Sequence, residues 1–120
     1  MAKNLRVIPL GGLGEIGKNM TVYEYGRSMI GVDCGVMFPD SDMYGIDLVL
    51  PDFSYILKNQ DRLKGILLTH GHMDHIAALP YLLREIEATI YGTPLTLGLV
   101  KRQLKEANVL HRARLEVLKA

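Results

Sequence analysis

The segment Ile66-Leu67-Leu68-Thr69-His70-Gly71-His72-Met73-Asp74-His75 constrains this chain more than any other. A short apolar run ends at Thr69. Three histidines and an aspartate then fall within six positions, and apolar residues at helical spacing follow. The pattern predicts a strand that hands over to a helix, with the polar cluster at the junction. Neutral imidazole nitrogen and carboxylate oxygen both suit zinc, manganese or iron. His70, His72, Asp74 and His75 therefore read as metal ligands, with room for two first-row cations. Gly71 has no side chain to obstruct its neighbours and can take a backbone angle that lets both rings converge. Asp74 and His75 are expected in the first turn of the helix, pointing back over the strand end, since metal–nitrogen bonds of ~2.0–2.1 Å demand convergence. Met73 is expected to face away. Three of the four histidines in the chain lie in this cluster, which argues against surface histidines without a role.

A chain of 120 residues, 48% of them hydrophobic, suffices for one folded domain with a modest core. Its 14 basic and 13 acidic residues leave a formal net charge of +1. That balance gives no global electrostatic drive toward nucleic acid or a membrane. A polyanionic partner would have to be attracted by local charge and by metals. Cys34 is the only cysteine, so no intrachain disulfide can form, and a small buried hydrophobe in the reducing cytoplasm is expected. The N-terminal residues show no signal-peptide pattern, and no apolar run reaches the ~18 residues of a membrane span.

Leu5 to Leu10 predicts a first strand, with Pro9 marking an edge or a strand end. Gly12-x-Gly14-x-x-Gly17 follows it, which is the dinucleotide fingerprint. That reading requires a helix directly after the glycines. Met20 to Tyr25 is instead rich in β-branched and aromatic residues, Gly26-Arg27 makes a turn, and Ser28 to Asp33 reads as a returning strand. A β-hairpin excludes the nucleotide reading. The glycine loop is better explained as backbone that comes close to a neighbouring site, with Glu15 and Asn19 as its polar tips. Asp33 admits two readings: it accepts the second N–H of a ligand histidine, or it is a turn residue bonded to its own backbone.

Phe38 to Asp52 is a loop dense in turn residues. Three of its acids could hold a hard cation such as calcium, although the spacing is not that of an EF-hand and a solvated acidic loop is the simpler reading. Phe53 to Leu57 begins a short helix, Lys58 to Lys64 is a polar connection, and Gly65 to Thr69 is the strand that delivers the cluster. Beyond it, Ile76, Leu79, Leu83 and Ile86 share a helical face, and Pro80 should kink or restart that helix. Thr89 to Gly92 predicts a strand, and Thr93-Pro94 an N-cap and first helical position. Leu97, Val100 and Leu104 form the buried side of that helix, with Lys101, Arg102, Lys105 and Glu106 toward water. His111 reads as a surface residue. Leu115 to Leu118 alternates like an isolated final strand, and the domain is expected to be cut there.

Several stretches together carry a resemblance. The His70-x-His72-x-Asp74-His75 motif after a strand is the hallmark of the metallo-β-lactamase fold superfamily. Gly11 to Asn19, Asp33-Cys34-Gly35-Val36-Met37-Phe38-Pro39, Gly45-Ile46-Asp47 and Pro51 to Tyr55 narrow it, and nearly the whole chain resembles the N-terminal part of ribonuclease J, of the β-CASP group. That resemblance implies an α/β fold, the first half of an αββα sandwich, with a mixed or antiparallel sheet and flanking helices. Residues 1–120 would then be the N-terminal portion of a truncated metallo-β-lactamase-like domain.

The resemblance implies hydrolysis of RNA phosphodiesters by two divalent cations, zinc foremost and manganese as the alternative. It implies 5′-to-3′ exonuclease and endonuclease activity in rRNA maturation and mRNA decay, in the cytoplasm, on RNA with 5′-monophosphorylated ends. A homo-oligomer or a complex with a paralogue is implied for the full-length form. By position, His70 and His72 would bind one metal, and Asp74 and His75 the other. Asp74 would serve mainly as a ligand and orient the nucleophile. The remaining ligands, the general acid and the inserted RNA-holding domain are not among these residues, so the 120 residues alone are expected to be inactive. A structural calcium is implied near Tyr44 and Ile46, through backbone carbonyls. Ala77 and Ala78 stand where family members carry glycine, a change a helix tolerates. Two other readings compete: a small-molecule thioesterase or lactonase on the same fold, and a non-catalytic metal-binding fragment.

Overall fold

The computed structural model describes residues 4–12, 17–37 and 49–118. Six strands form one sheet in the order β1-β2-β3-β4-β5-β6: β1 Leu5–Gly11, β2 Met20–Tyr25, β3 Ser28–Val32, β4 Leu63–Leu67, β5 Ala88–Gly92 and β6 Ala113–Val117. The first three pair antiparallel and the rest parallel. The sheet is therefore mixed, and its order follows the chain without a jump.

The hairpin predicted from residues 20–33 is present, with Gly26 at φ +60° in its turn. β1 lies at the sheet edge, where Pro9 needs no ladder partner on its open side; the register shifts between Pro9 and Gly11. Because β2 starts at Met20, three residues after Gly17, the glycine loop leads into a strand and the nucleotide reading stays excluded.

Each parallel pair needs a crossover, and helices supply them. Helix α1, Ser54–Lys58, precedes β4; α2, Met73–Ile76, and α3, Leu79–Leu82, link β4 to β5; and α4, Pro94–Glu106, links β5 to β6. The helical stretch over Ile76 to Ile86, expected to kink or restart at Pro80, is divided. Pro80 cannot donate a backbone hydrogen bond, so it restarts the helix in the first turn of α3 after a break at Ala77-Ala78. The four apolar positions singled out there are all buried. Thr93 caps α4 as expected, its hydroxyl accepting from the Thr96 N–H at 3.3 Å. The final strand is not isolated: β6 pairs in parallel along β5, and the alternation alone could not show that partner.

One face of the sheet meets the helices. Met20, Val22, Met29, Ile66 and Ile90 join Ile76, Leu79, Leu82, Val100 and Leu104 in one core. The opposite face carries exposed Leu5, Val7, Tyr23, Tyr25 and Ile30. Glu24 is the exception to the apolar side. Its carboxylate is buried and accepts from the Tyr55 hydroxyl and, at 2.5 Å, from Arg62, which ties α1 and the turn after it to β2. Among the described residues, no helix is long and apolar enough to cross a membrane.

Several expectations fall outside the described residues: Glu15 in the glycine loop, the acids of the 38–48 loop, and the calcium ligands Tyr44 and Ile46. The side chain of Met73 is outside them as well.

Candidate metal centre

Parallel pairing puts the C-terminal ends of β3 and β4 side by side. Val32 is in register with Leu67, and the Asp33 N–H donates to the Leu67 carbonyl at 2.8 Å. Ligand-bearing residues collect at such strand ends in open α/β sheets. Asp33 leaves β3 at φ +63°, an uncommon conformation for a residue other than glycine. That turn brings its carboxylate across the top of β4. There Oδ1 accepts the Thr69 N–H at 2.8 Å, and the Thr69 hydroxyl stands 3.0 Å and 2.9 Å from the two carboxylate oxygens.

The same carboxylate reaches a histidine of the cluster. Asp33 Oδ2 lies 2.7 Å from His75 Nδ1. A carboxylate only accepts, so Nδ1 carries the proton and Nε2 keeps a lone pair when the ring is neutral. A second path runs to His70, whose Nδ1 is 3.0 Å from the Thr69 hydroxyl. That hydroxyl has one proton and gives it to Asp33, so it accepts from His70 Nδ1 and leaves that ring's Nε2 free as well. Asp33 thus sets both rings in the tautomer a metal needs, which decides between the two readings of this residue.

His70, Asp74 and His75 each present a ligand atom within 4.8 Å of the others. The rings of His70 and His75 have centroids 3.9 Å apart, and Asp74 Oδ2 is 3.5 Å from His75 Nε2. The donor set is two imidazoles and a carboxylate, partly buried, with their proton-bearing sides turned away. It fits a divalent cation, which would draw the atoms together from this spread. His72 is exposed and lies outside the trio, although its ring meets His70 edge-on at 4.6 Å. His111 is exposed at a distant turn, as expected.

The backbone beneath the site is stitched to β3. The Cys34 N–H donates to the His75 carbonyl at 2.8 Å, and the Cys34 carbonyl accepts from Ala78 N–H at 2.9 Å. Gly35 runs so close to α2 that a Cβ on it would stand 1.5 Å from the Asp74 carbonyl oxygen. Cys34 itself is fully buried, and burial, then the neighbouring Asp33 charge, raise its thiol far above the ordinary range. Gly71 differs from its expected role. Its φ is not in the left-handed region, and the nearest atom to a Cβ there would be Leu99 Cδ1 at 2.7 Å, the end of an exposed side chain that can move aside. Thr69 and Gly35 were not singled out as parts of the site from sequence. The available signal was their position, one before the first histidine and two after Asp33.

The fold and this strand-end cluster define a class. Residues 13–112 match the model of the metallo-beta-lactamase superfamily, and the chain belongs to that family. Within it, the chain is 49% identical over 112 residues to Ribonuclease J 2 of Staphylococcus aureus (strain NCTC 8325), and 47% identical to Ribonuclease J 2 of Staphylococcus saprophyticus. Each alignment covers 93% of this chain and 20% of the relative, so the chain spans about a fifth of the length of the curated relatives it matches. Among solved structures, the short form of human tRNase Z superimposes with a TM-score of 0.55 at 19% identity, covering 95% of this chain and 46% of that one. A likeness at that identity supports the fold.

Proposed function

We propose that this chain is the N-terminal, metal-bearing part of a metallo-β-lactamase domain in a ribonuclease J-type enzyme that hydrolyses RNA phosphodiesters. The reading takes in 5′-to-3′ exonuclease and endonuclease action in rRNA maturation and mRNA decay, in the cytoplasm, on 5′-monophosphorylated RNA. The full-length form would act as a homo-oligomer or with a paralogue. The observation that carries the reading is the convergence of His70, Asp74 and His75 under the control of Asp33, in a chain with close similarity to proteins named Ribonuclease J 2.

His70, His72, Asp74 and His75 would hold two divalent cations, zinc foremost. Such a pair, when bound, lowers the pKa of a water toward neutrality and offsets charge on phosphate oxygens. The protein's own contribution is orientation. Asp33 keeps the protons of His70 and His75 on Nδ1, directly for one and through Thr69 for the other. Asp74 presents its carboxylate beside His75 and orients the attacking water. The Cys34 and Gly35 backbone fixes the start of α2, so these side chains keep their aim.

The test uses the protein at its natural length, zinc or manganese, and 5′-monophosphorylated RNA. Cleavage that is lost with a chelator and with His75→Ala is expected. Cleavage that survives both would overturn the reading, and turnover of thioesters or lactones without RNA cleavage would transfer the site to small-molecule hydrolysis.

A further inference from the structure

Among its described residues, the glycine loop between β1 and β2 gives nothing to the ligand set, yet it ends at the metal centre. Asn19, two residues beyond Gly17, points its amide into the gap between Asp74 and His75. Asn19 Nδ2 is 3.0 Å from the Asp74 carbonyl oxygen, 3.3 Å from Asp74 Oδ2 and 3.5 Å from His75 Nε2. The backbone holds the residue on both sides. Its N–H donates to the Asp74 carbonyl at 3.2 Å, and its own carbonyl accepts from Gly35 N–H at 3.1 Å. Gly12 backs the far side of the amide: it sits at φ +86°, and a Cβ there would stand 2.8 Å from Asn19 Oδ1. Glycine is the residue that reaches this conformation and leaves that space.

An amide nitrogen carries two protons, and here three acceptors surround it within 3.5 Å. Two of them, Asp74 Oδ2 and His75 Nε2, are atoms a cation would take. The third, the Asp74 carbonyl, is not. We propose that Asn19 is a positioning residue for the cation half-site of Asp74 and His75, and that Gly12 leaves the space in which its amide is seated. The amide keeps the carboxylate and the imidazole turned toward one point before a cation arrives. It yields those two acceptors to the cation and retains its bond to the Asp74 carbonyl. This assignment rests on the metal-dependent reading above.

Zinc affinity, measured by chelator competition on the protein at its natural length, tests it apart from catalysis. The wild type is expected to take two zinc ions. Asn19→Ala should weaken one site by about ten- to a hundredfold and leave the other unchanged, the range seen when groups that orient a ligand are removed. Asn19→Leu keeps the side-chain shape and the backbone bonds, so it decides the matter if the alanine variant does not fold. It carries no proton to donate to Asp74 or His75 and should weaken the same site to a similar extent. If both variants melt at lower temperature but bind zinc as the wild type does, Asn19 is only a structural staple and the assignment is overturned. A wild type that binds no zinc would overturn the metal reading and the assignment together.

Discussion

Asp33 Oδ2 lies 2.7 Å from His75 Nδ1, and that contact sets which nitrogen of the ring can meet a cation. Asp33→Asn tests its consequence. Oδ1 already accepts from the Thr69 N–H, so the new amide nitrogen would face His75. The ring would then have to accept at Nδ1 and carry its proton on Nε2, which removes the lone pair a metal needs. Zinc affinity should fall about ten- to a hundredfold with the fold retained. Nitrogen NMR of the imidazole should show the tautomer reversed; an unchanged tautomer would refute the relay.

Gly35→Ala should disrupt the site from below. The added methyl has nowhere to go, at 1.5 Å from a backbone oxygen of α2, and backbone cannot move aside as a flexible side-chain end can. A loss of at least about 3 kcal/mol is expected, at the upper end for overpacking. Thermal denaturation measures it, and a melting temperature equal to the wild type would contradict the close approach.

Glu24 makes stability depend on acid. The Tyr55 hydrogen bond first, and Arg62 next, hold its carboxyl below the ordinary range. A folded-state pKa below the unfolded one, about 4.3 for glutamate, stabilises the fold fully above the unfolded value. That stabilisation is lost as pH falls through the folded value. Glu24→Gln should therefore cost about 2–3 kcal/mol at neutral pH, below the loss for a fully enclosed pair because Arg62 keeps some solvent access. The gap between variant and wild type should shrink below pH ~4. Denaturant midpoints at pH 7 and pH 3 give the comparison, and a gap independent of pH would rule the charge out.

Cys34 should be inert in the native protein. Its thiol is buried and held in the protonated form, and the thiolate is the reactive species. Ellman's reagent should find no accessible thiol until denaturant is added. Rapid reaction under native conditions would show that the β3–α2 junction opens.

Much of the local structure is legible in the residues. The β-branched run after the glycines makes the hairpin, Thr93-Pro94 starts α4, and the spacing of Leu97, Val100 and Leu104 marks its buried side. Those features depend on neighbours in sequence. The partner of β6 depends on a strand more than twenty residues earlier, so alternation showed a strand without showing that it was paired. The break between α2 and α3 was half visible, since Pro80 signals a restart while its place relative to Ala77-Ala78 is set by packing.

At the metal centre the division is similar. Residue chemistry and spacing in the 70–75 segment were enough to determine that these side chains are ligand types at a strand–helix junction. Only tertiary structure decided that His70, rather than His72, stands with Asp74 and His75, and that Asp33 governs two rings at once. The glycine loop read from sequence as backbone near a neighbouring site with Asn19 at a polar tip, but only tertiary structure identified Asp74, 55 positions away, as the partner of its amide. Hydrogen-bond direction requires two groups within about 3 Å, and the parallel pairing of β3 with β4 creates that proximity where no local pattern encodes it.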